Sequence, residues 1–305
     1  MQVKKYDINT TKKVNEQEIA VLSNIYLSDK ISKDKLYSLL DELDIIKPDK
    51  ILIPGNLYSI DQMTMERELV TQFIDNLTSI SDVFYVRGES EEQEKTLPHS
   101  LNFYKNQKFH FLCEDTKVNN YCMSFHLDGV NVGGIKLPKN FYTLSELEKI
   151  KLILNDYRSY IKSFVELCSN ENFNILLCND PILVELAPAF KQLSLFDLVV
   201  SSSQERSFYS ETINIILQAF GIHLKNTINN FVEKGKIDYH YPTTNSNEYG
   251  YINDDKTYYL QGSGITKFHS EYGEFQKFEK LNEGTIDLVR VRKVEPVRIY
   301  GGVFK

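Results

Sequence analysis

Eight polar residues, each of which follows a short apolar run, are the candidates for chemistry in this sequence. They are Asn24, Tyr26, Asn56, Glu89, Ser90, Asn179, Ser203 and Glu205. Amide, hydroxyl and phenol side chains donate and accept hydrogen bonds, but they are poor metal ligands beside carboxylates and imidazoles. Of the eight, only Glu89 and Glu205 carry carboxylates that could hold a hard cation such as Mg²⁺ or Ca²⁺, and then as two isolated ligands.

Histidine and cysteine, which also bind metals, lie away from these candidates. The six histidines, which form no H-x-H or H-x-x-x-H pair, are His99, His110, His126, His223, His240 and His269. The four cysteines are widely spaced without a C-x-x-C pair, so we interpret them as small buried apolar side chains. The run Ser201-Ser202-Ser203 could suggest a serine nucleophile, but spacing identifies no His or Asp partner for it.

The apolar runs that precede the candidates alternate with helical patterns. Strands are predicted at 18–23, 50–53, 82–86, 173–178 and 197–201. Helices are predicted after Ser32, where leucines recur at helical spacing, and over 63–77. Alternating strands and helices indicate βαβ units in a mainly parallel sheet.

The middle of the chain predicts a second sheet. Three short runs between 108 and 137, FHFLC, YCMSFH and VNVGGIKL, suggest antiparallel-rich pairing, with a bulge at Gly133-Gly134. The stretch from Thr143 to Glu146 reads as a capping box that opens a helix. We expect one domain over 1–305, with 1–17 as a polar N-terminal extension or edge strand and 202–255 as a polar irregular insertion.

Composition limits the partners of this domain. The 305 residues are 42% hydrophobic and 25% charged, with a formal net charge of −7 and no cluster of Lys and Arg. The electrostatic signal of a nucleic-acid binder is therefore absent from the sequence. No apolar run approaches the ~20 residues that span a bilayer, and the polar N-terminus does not read as a signal peptide. We expect a cytoplasmic protein without a membrane segment.

Five segments follow one another in the order of a known set of motifs. They read LSNIYLSD (22–29), PDKILIPGNL (48–57), VFYVRGESE (83–91), ILLCNDP (175–181) and DLVVSSSQE (197–205). With YYLQGSGITKF (258–268) and GTIDLVRV (284–291), they resemble the calcineurin-like metallophosphoesterase family over 18–294. The resemblance implies an α/β fold, a two-sheet sandwich of mixed sheets flanked by helices, with its site at the carboxyl ends of the strands.

The resemblance also implies a reaction. In this family, two metal ions such as Mn, Fe or Zn share a bridging carboxylate and activate a water for attack on phosphorus. The family motifs read D-x-H, G-D, G-N-H-E/D, a lone H, and G-H-x-H. In the first two motifs of this chain, Asn24 stands for the aspartate, Tyr26 for the histidine and Asn56 for the bridging aspartate.

The other three motifs have changed as well. Glu89 replaces the metal-binding asparagine, and Ser90 replaces the histidine that would protonate the leaving group. Asn179 replaces the lone histidine, while Ser203 and Glu205 replace the two histidines of the last motif. A pair of divalent ions needs anionic oxygens and imidazoles around it, so we expect no metal cofactor here.

We interpret the chain as a catalytically inactive relative, a pseudoenzyme with a binding or regulatory role for a ligand or protein partner that the sequence does not name. The alternative is a phosphoesterase that acts on a phosphate ester with a rebuilt or single-metal site. In either case the eight degenerate positions mark a possible ligand cleft. Removing aspartates from a site without metal also removes their mutual repulsion, which agrees with the first interpretation.

Overall fold

The computed structural model shows twelve strands and two long helices within the residues that it describes. The described residues are 1–27, 33–58, 63–92, 107–112, 122–135, 140–145, 147–152, 171–180, 196–202, 237–240, 257–262, 264–265 and 284–294. In chain order the strands are β1 (Gln2–Thr10), β2 (Gln17–Val21), β3 (Lys50–Ile53), β4 (Asp82–Tyr85), β5 (Phe109–Phe111), β6 (Cys122–Leu127), β7 (Val130–Ile135), β8 (Phe173–Cys178), β9 (Leu198–Ser201), β10 (Ile237–His240), β11 (Thr257–Gln261) and β12 (Thr285–Lys293). The helices are α1 (Lys33–Ile46), α2 (Met63–Ile80) and the short α3 (Glu89–Glu92), and a 3-10 turn covers Phe141–Thr143.

The strands form two six-stranded mixed sheets. The first has the order β1-β12-β2-β3-β4-β5. In this sheet β12 and β2 are antiparallel, and every other neighbouring pair of strands is parallel. The second has the order β10-β11-β9-β8-β7-β6, with parallel pairs at its centre and antiparallel pairs at both edges. The prediction of a two-sheet α/β sandwich is therefore confirmed.

Two details of the predicted second sheet were wrong. The runs YCMSFH and VNVGGIKL do pair antiparallel, as β6 and β7, but the centre of the sheet is parallel, because β7, β8, β9 and β11 run in one direction. The run FHFLC does not join it, since β5 pairs with β4 in the first sheet. A short apolar run predicts a strand but does not say which neighbour it pairs with.

Alternate residues of the central strands of the first sheet face two different cores, as the period of a strand requires. Ile19 and Val21 of β2 lie in the core between the sheets, while Ala20 and Leu22 belong to the core beneath the helices. The helices α1 and α2 bury their leucine and phenylalanine stripes, such as Leu39 and Leu43, against that second face. The first sheet is thus covered on one side by helices and on the other by the second sheet.

Charged residues connect the two sheets at the amino ends of the central strands. The fully buried Lys50 donates a 2.9 Å hydrogen bond to Gln17 Oε1 and lies 3.7 Å from Asp128 Oδ2 in the β6–β7 turn. Desolvation lowers the pKa of Lys50, and the nearby carboxylates oppose that effect. A second ion pair, 2.8 Å long, joins Lys12 to Asp197 just before β9. At the carboxyl ends of these strands, the described residues are joined mainly by hydrogen bonds, which are described with the candidate site.

No helix in the described ranges is long and apolar enough to cross a membrane. Of the predicted insertion at 202–255, Ser202 and β10 fall within the described residues, and the rest lies outside them. The N-terminal segment supplies β1, the edge strand of the first sheet, which pairs with β12.

The two sheets approach each other closely at Gly134. The bulge predicted at Gly133-Gly134 is wrong, because the residues of β7 pair one-to-one with those of β6 from 130 to 135. A Cβ on Gly134 would instead lie 2.4 Å from Val86 Cγ1 and 2.5 Å from Leu112 Cβ, both across the core. Glycine is needed here for packing between the sheets.

We expect Gly134→Ala to lower the free energy of unfolding by about 1–3 kcal/mol, since it overpacks a dense core. Chemical denaturation of the variant measures this loss. Val86→Ala is the companion variant, because it removes the methyl group nearest the new Cβ. The double variant should lose less than the sum of the two single losses. Simple additivity would show that the two sheets do not meet at this glycine.

Candidate functional site

The loops that follow β2 and β3 run side by side at the carboxyl ends of the strands. Tyr26 N donates to Asn56 O at 2.9 Å, and Leu27 N donates to Leu57 O at 2.8 Å. Asn24, Tyr26 and Asn56 all adopt left-handed backbone angles, with φ of 52°, 51° and 56°. Asparagine tolerates this region well, but a tyrosine there is uncommon, so the loop geometry is imposed by its surroundings.

A network of neutral side chains joins the two sheets at this end. Asn56 Nδ2 donates to Asn24 Oδ1 at 2.9 Å, and Ser202 Oγ donates to the same oxygen. Asn56 Nδ2 also lies 3.5 Å from Ser202 Oγ. All three residues are buried, with exposed fractions of 6% or less. The amides therefore satisfy one another and the serine without any ionised group among them.

Asn179, from the end of β8, binds the backbone of the first sheet. Its Nδ2 donates to Pro54 O at 2.8 Å, and its Oδ1 accepts from Glu89 N at 3.1 Å. A Cβ on Gly55 would lie 2.4 Å from Asn179 Nδ2, and one on Gly88 would lie 2.3 Å from Asn56 Oδ1. The glycines of the second and third segments are thus required because amide side chains pack directly on their Cα atoms.

Glu91, the last residue of the segment 83–91, is not among the eight predicted site residues, yet its side chain organises these loops. Glu91 is fully buried, and its carboxylate accepts from the backbone N–H groups of four residues. The donors are Asn56 at 3.1 Å, Leu57, Tyr58 at 3.3 Å and Gly88 at 2.8 Å. Burial raises the pKa of Glu91, and the N–H donors oppose that rise. The carboxylate fixes the loop after β3 to the loop after β4.

The rim of the site carries charge. Asp180, which follows Asn179, is fully buried, and its Oδ2 lies 3.8 Å from the ammonium of Lys149. Glu89 lies near both groups and is exposed at its outer side. Desolvation raises the pKa of Glu89; Lys149 acts in the opposite direction, and Asp180 raises it further. Neither Lys149 nor Asp180 was singled out from the sequence, where they lie 31 positions apart.

The structure brings together five of the eight predicted site residues, namely Asn24, Tyr26, Asn56, Glu89 and Asn179, through side-chain or backbone hydrogen bonds. Tyr26 joins them through its backbone, and its side chain is half-buried. The side chain of Ser90, and all of Ser203 and Glu205, lie outside the described residues. Ser202, which the sequence singles out only as part of the serine run 201–203, is a full member of the network.

This donor set does not fit a pair of bridged divalent ions. Asn24 Oδ1 already accepts two hydrogen bonds, and Asn56 presents an N–H group to it rather than a carboxylate oxygen. Across the residues that the structure describes, no three His, Cys, Asp or Glu side chains gather where they could hold a metal ion. The described residues are arranged for hydrogen bonding within the protein.

Comparisons with known proteins give low similarity. No protein-family model matches the chain, and no curated protein matches it. One similar solved structure is a dimetal phosphatase from Danio rerio, at 9% identity and a TM-score of 0.38, covering 61% of this chain and 80% of that one. Another is GAP50, the anchor in the inner membrane complex of Plasmodium, at 12% identity and a TM-score of 0.40, covering 90% of this chain and 80% of that one. Similarities this low carry no argument about activity or partners.

We expect Asn56→Asp to lower the free energy of unfolding by about 1–3 kcal/mol near neutral pH. The substitution removes the N–H donor to Asn24 Oδ1 and places a buried carboxylate oxygen against it. Asn9→Asp on the exposed face of β1 is the matched control, because it makes the same chemical change in solvent. Urea denaturation of both variants compares them, and equal stabilities would contradict the network.

Glu91→Gln should lower the free energy of unfolding by more, at least about 2 kcal/mol. In this variant an amide nitrogen would face backbone N–H donors that now share a carboxylate. Glu68→Gln, at an exposed position of α2, is the control for loss of one carboxylate. The amide hydrogens of residues 56–58 should also exchange faster in Glu91→Gln. Unchanged exchange rates would show that Glu91 does not hold this loop.

Proposed function

We propose that this chain is a catalytically inactive protein of metallophosphoesterase type, which acts by binding a ligand or partner. The observation that carries the proposal is the buried network of Asn24, Asn56 and Ser202 at the ends of the strands. In the family that the sequence resembles, the first two positions are aspartates and one of them bridges two metals. Here they are neutral amides that bind one another.

The chemistry of hydrolysis supports the same proposal. Attack on phosphorus needs an activated water and an acid for the leaving oxygen. The position of that acid is Ser90, and a serine hydroxyl is too weak an acid to protonate an alkoxide near neutral pH. Asn56 cannot bridge two cations as an aspartate does, because its amide is neutral. The residues present therefore supply neither part of the reaction.

The proposed role is binding or regulation, without a metal cofactor, in the cytoplasm. The loops after β2, β3 and β4 are held in fixed positions by Glu91 and by the amide network, so their outer surfaces form a preorganised platform. Tyr26 and Glu89 are the members of this platform that reach solvent. Widely spaced cysteines, with Cys178 a free and buried thiol, agree with a reducing compartment.

Metal analysis and an activity assay test the proposal together. After dialysis, the purified protein should contain no stoichiometric Mn, Fe or Zn. It should also fail to hydrolyse phosphate mono- and diesters in the presence of added Mn²⁺. A chelator and excess Mn²⁺ should both leave the melting temperature unchanged, because no bound metal contributes to the folded state.

The opposite results identify the alternative, a phosphoesterase with a rebuilt site. Two equivalents of transition metal per chain would overturn the proposal. Hydrolysis that survives a second purification and is lost in Asn56→Ala would overturn it as well. The Asn9→Asp variant serves as the control for activity that comes from a contaminant, because contaminating activity would not depend on either position.

A further inference from the structure

The Lys149 ammonium lies beside the buried carboxylate of Asp180, where loops from the two sheets meet. Asp180 follows β8 of the second sheet and is fully buried, and Glu89 follows β4 of the first sheet. The two loops are joined at this point, because Glu89 N donates to Asn179 Oδ1 at 3.1 Å. Lys149 comes from a third element, the helical segment 147–152, and its Nζ lies 3.8 Å from Asp180 Oδ2.

The position of Lys149 is fixed by its own segment. The capping box predicted at Thr143 to Glu146 is displaced by two residues: Ser145 Oγ and Ser145 N donate to Glu148 Oε2 at 2.6 and 2.9 Å. Lys149 is in the first turn that this cap begins, and its backbone N donates to Ser145 O at 2.9 Å. The helix therefore starts at a defined point, which directs Lys149 to Asp180.

The surroundings of the ammonium keep it at this junction. The side chain of Lys149 is only 12% exposed, and its Nζ lies 5.1 Å from the centre of the buried Phe141 ring. An aromatic face stabilises a cation that has left bulk water. A buried carboxylate such as Asp180 is costly unless a positive group compensates it. In the described part of the chain, Lys149 is the cation that acts on both Asp180 and Glu89.

We propose that Lys149 is the resident cation of this junction: its tethered ammonium supplies the positive charge that Asp180 and Glu89 need, and so excludes divalent cations from the strand ends. The inference rests on the proposed metal-free function, and it names the residue that makes the cleft metal-free. It explains why a buried aspartate remains beside Asn179 although the neighbouring aspartates of the family motifs are amides.

The experiment removes the charge and keeps the volume. Lys149→Met should bind added Mn²⁺ at least roughly tenfold more tightly than the unmodified protein does, measured from the electron paramagnetic resonance signal of free Mn²⁺. Lys149→Arg keeps a cation at the junction and should bind no more Mn²⁺ than the unmodified protein. Lys151→Met removes an exposed lysine from the same helix and should also leave Mn²⁺ binding unchanged. The double variant Lys149→Met, Asp180→Asn should lose the gain.

Each result has one meaning. Lys149→Met that binds no more Mn²⁺ than the unmodified protein overturns the inference and leaves the proposed function standing. Stoichiometric Mn²⁺ in the unmodified protein overturns the proposed function itself. If Lys149→Met does not fold alone, refolding with Mn²⁺ should recover it and refolding without Mn²⁺ should not. Failure of Mn²⁺ to recover the fold also overturns the inference.

Discussion

The hydrogen bonds that Asn24 Oδ1 accepts from Asn56 and Ser202 are the interaction on which this end of the sandwich depends. The carboxyl ends of the central strands are buried, so every polar group there needs a partner within the protein. In a site with two metals, the ions would draw these loops together. Here neutral amides and a hydroxyl connect the loops of both sheets without any metal.

The two ends of the sandwich meet the same requirement with different chemistry. At the amino ends, ion pairs such as Lys50–Asp128 and Lys12–Asp197 link the sheets, and one partner of the first pair reaches solvent. At the carboxyl ends, the amide network is uncharged, and two buried carboxylates lie beside it: Asp180, which faces Lys149, and Glu91. The charge of Glu91 is balanced by backbone N–H groups, which are strong donors to a carboxylate. A network of this kind holds the loops in one conformation, which suits a binding surface.

Much of the fold follows from local pattern. The bounds of β3 match the predicted 50–53, and α2 begins at the predicted residue 63 and ends three residues beyond the predicted 77. The pairing of β5 could not be predicted from local pattern, because the sequence of this three-residue strand does not distinguish one sheet edge from another. The capping box lies two residues later than predicted because the sequence contains two overlapping capping-box patterns, one starting at Thr143 and one at Ser145. Thr143 belongs to the 3-10 turn, so the helix is capped at Ser145.

The residues of the candidate site could be predicted where they occupy motif positions. They could not be predicted where their role depends on partners far away in the sequence. Asn24, Asn56 and Asn179 each follow a predicted strand, so their meeting at the carboxyl ends of the strands could be expected. Glu91 holds the last position of the G-N-H-E/D motif, but its role is to bind N–H groups 34 and 35 residues away, which the motif does not indicate. Lys149 meets Asp180 only because a capped helix from between the strands begins at Ser145.

The arrangement of these groups decides how a ligand can approach. Asn24 Oδ1, Asn56 Nδ2 and Ser202 Oγ are already bonded to one another, so these atoms offer little to a molecule in the cleft. Breaking such a buried network costs the desolvation of each group left without a partner. A ligand therefore gains more by binding the outer residues, the half-buried Tyr26 and the carboxylate of Glu89. In the proposed binding role, the amide network therefore serves as a rigid support, and recognition falls to the residues at its outer side.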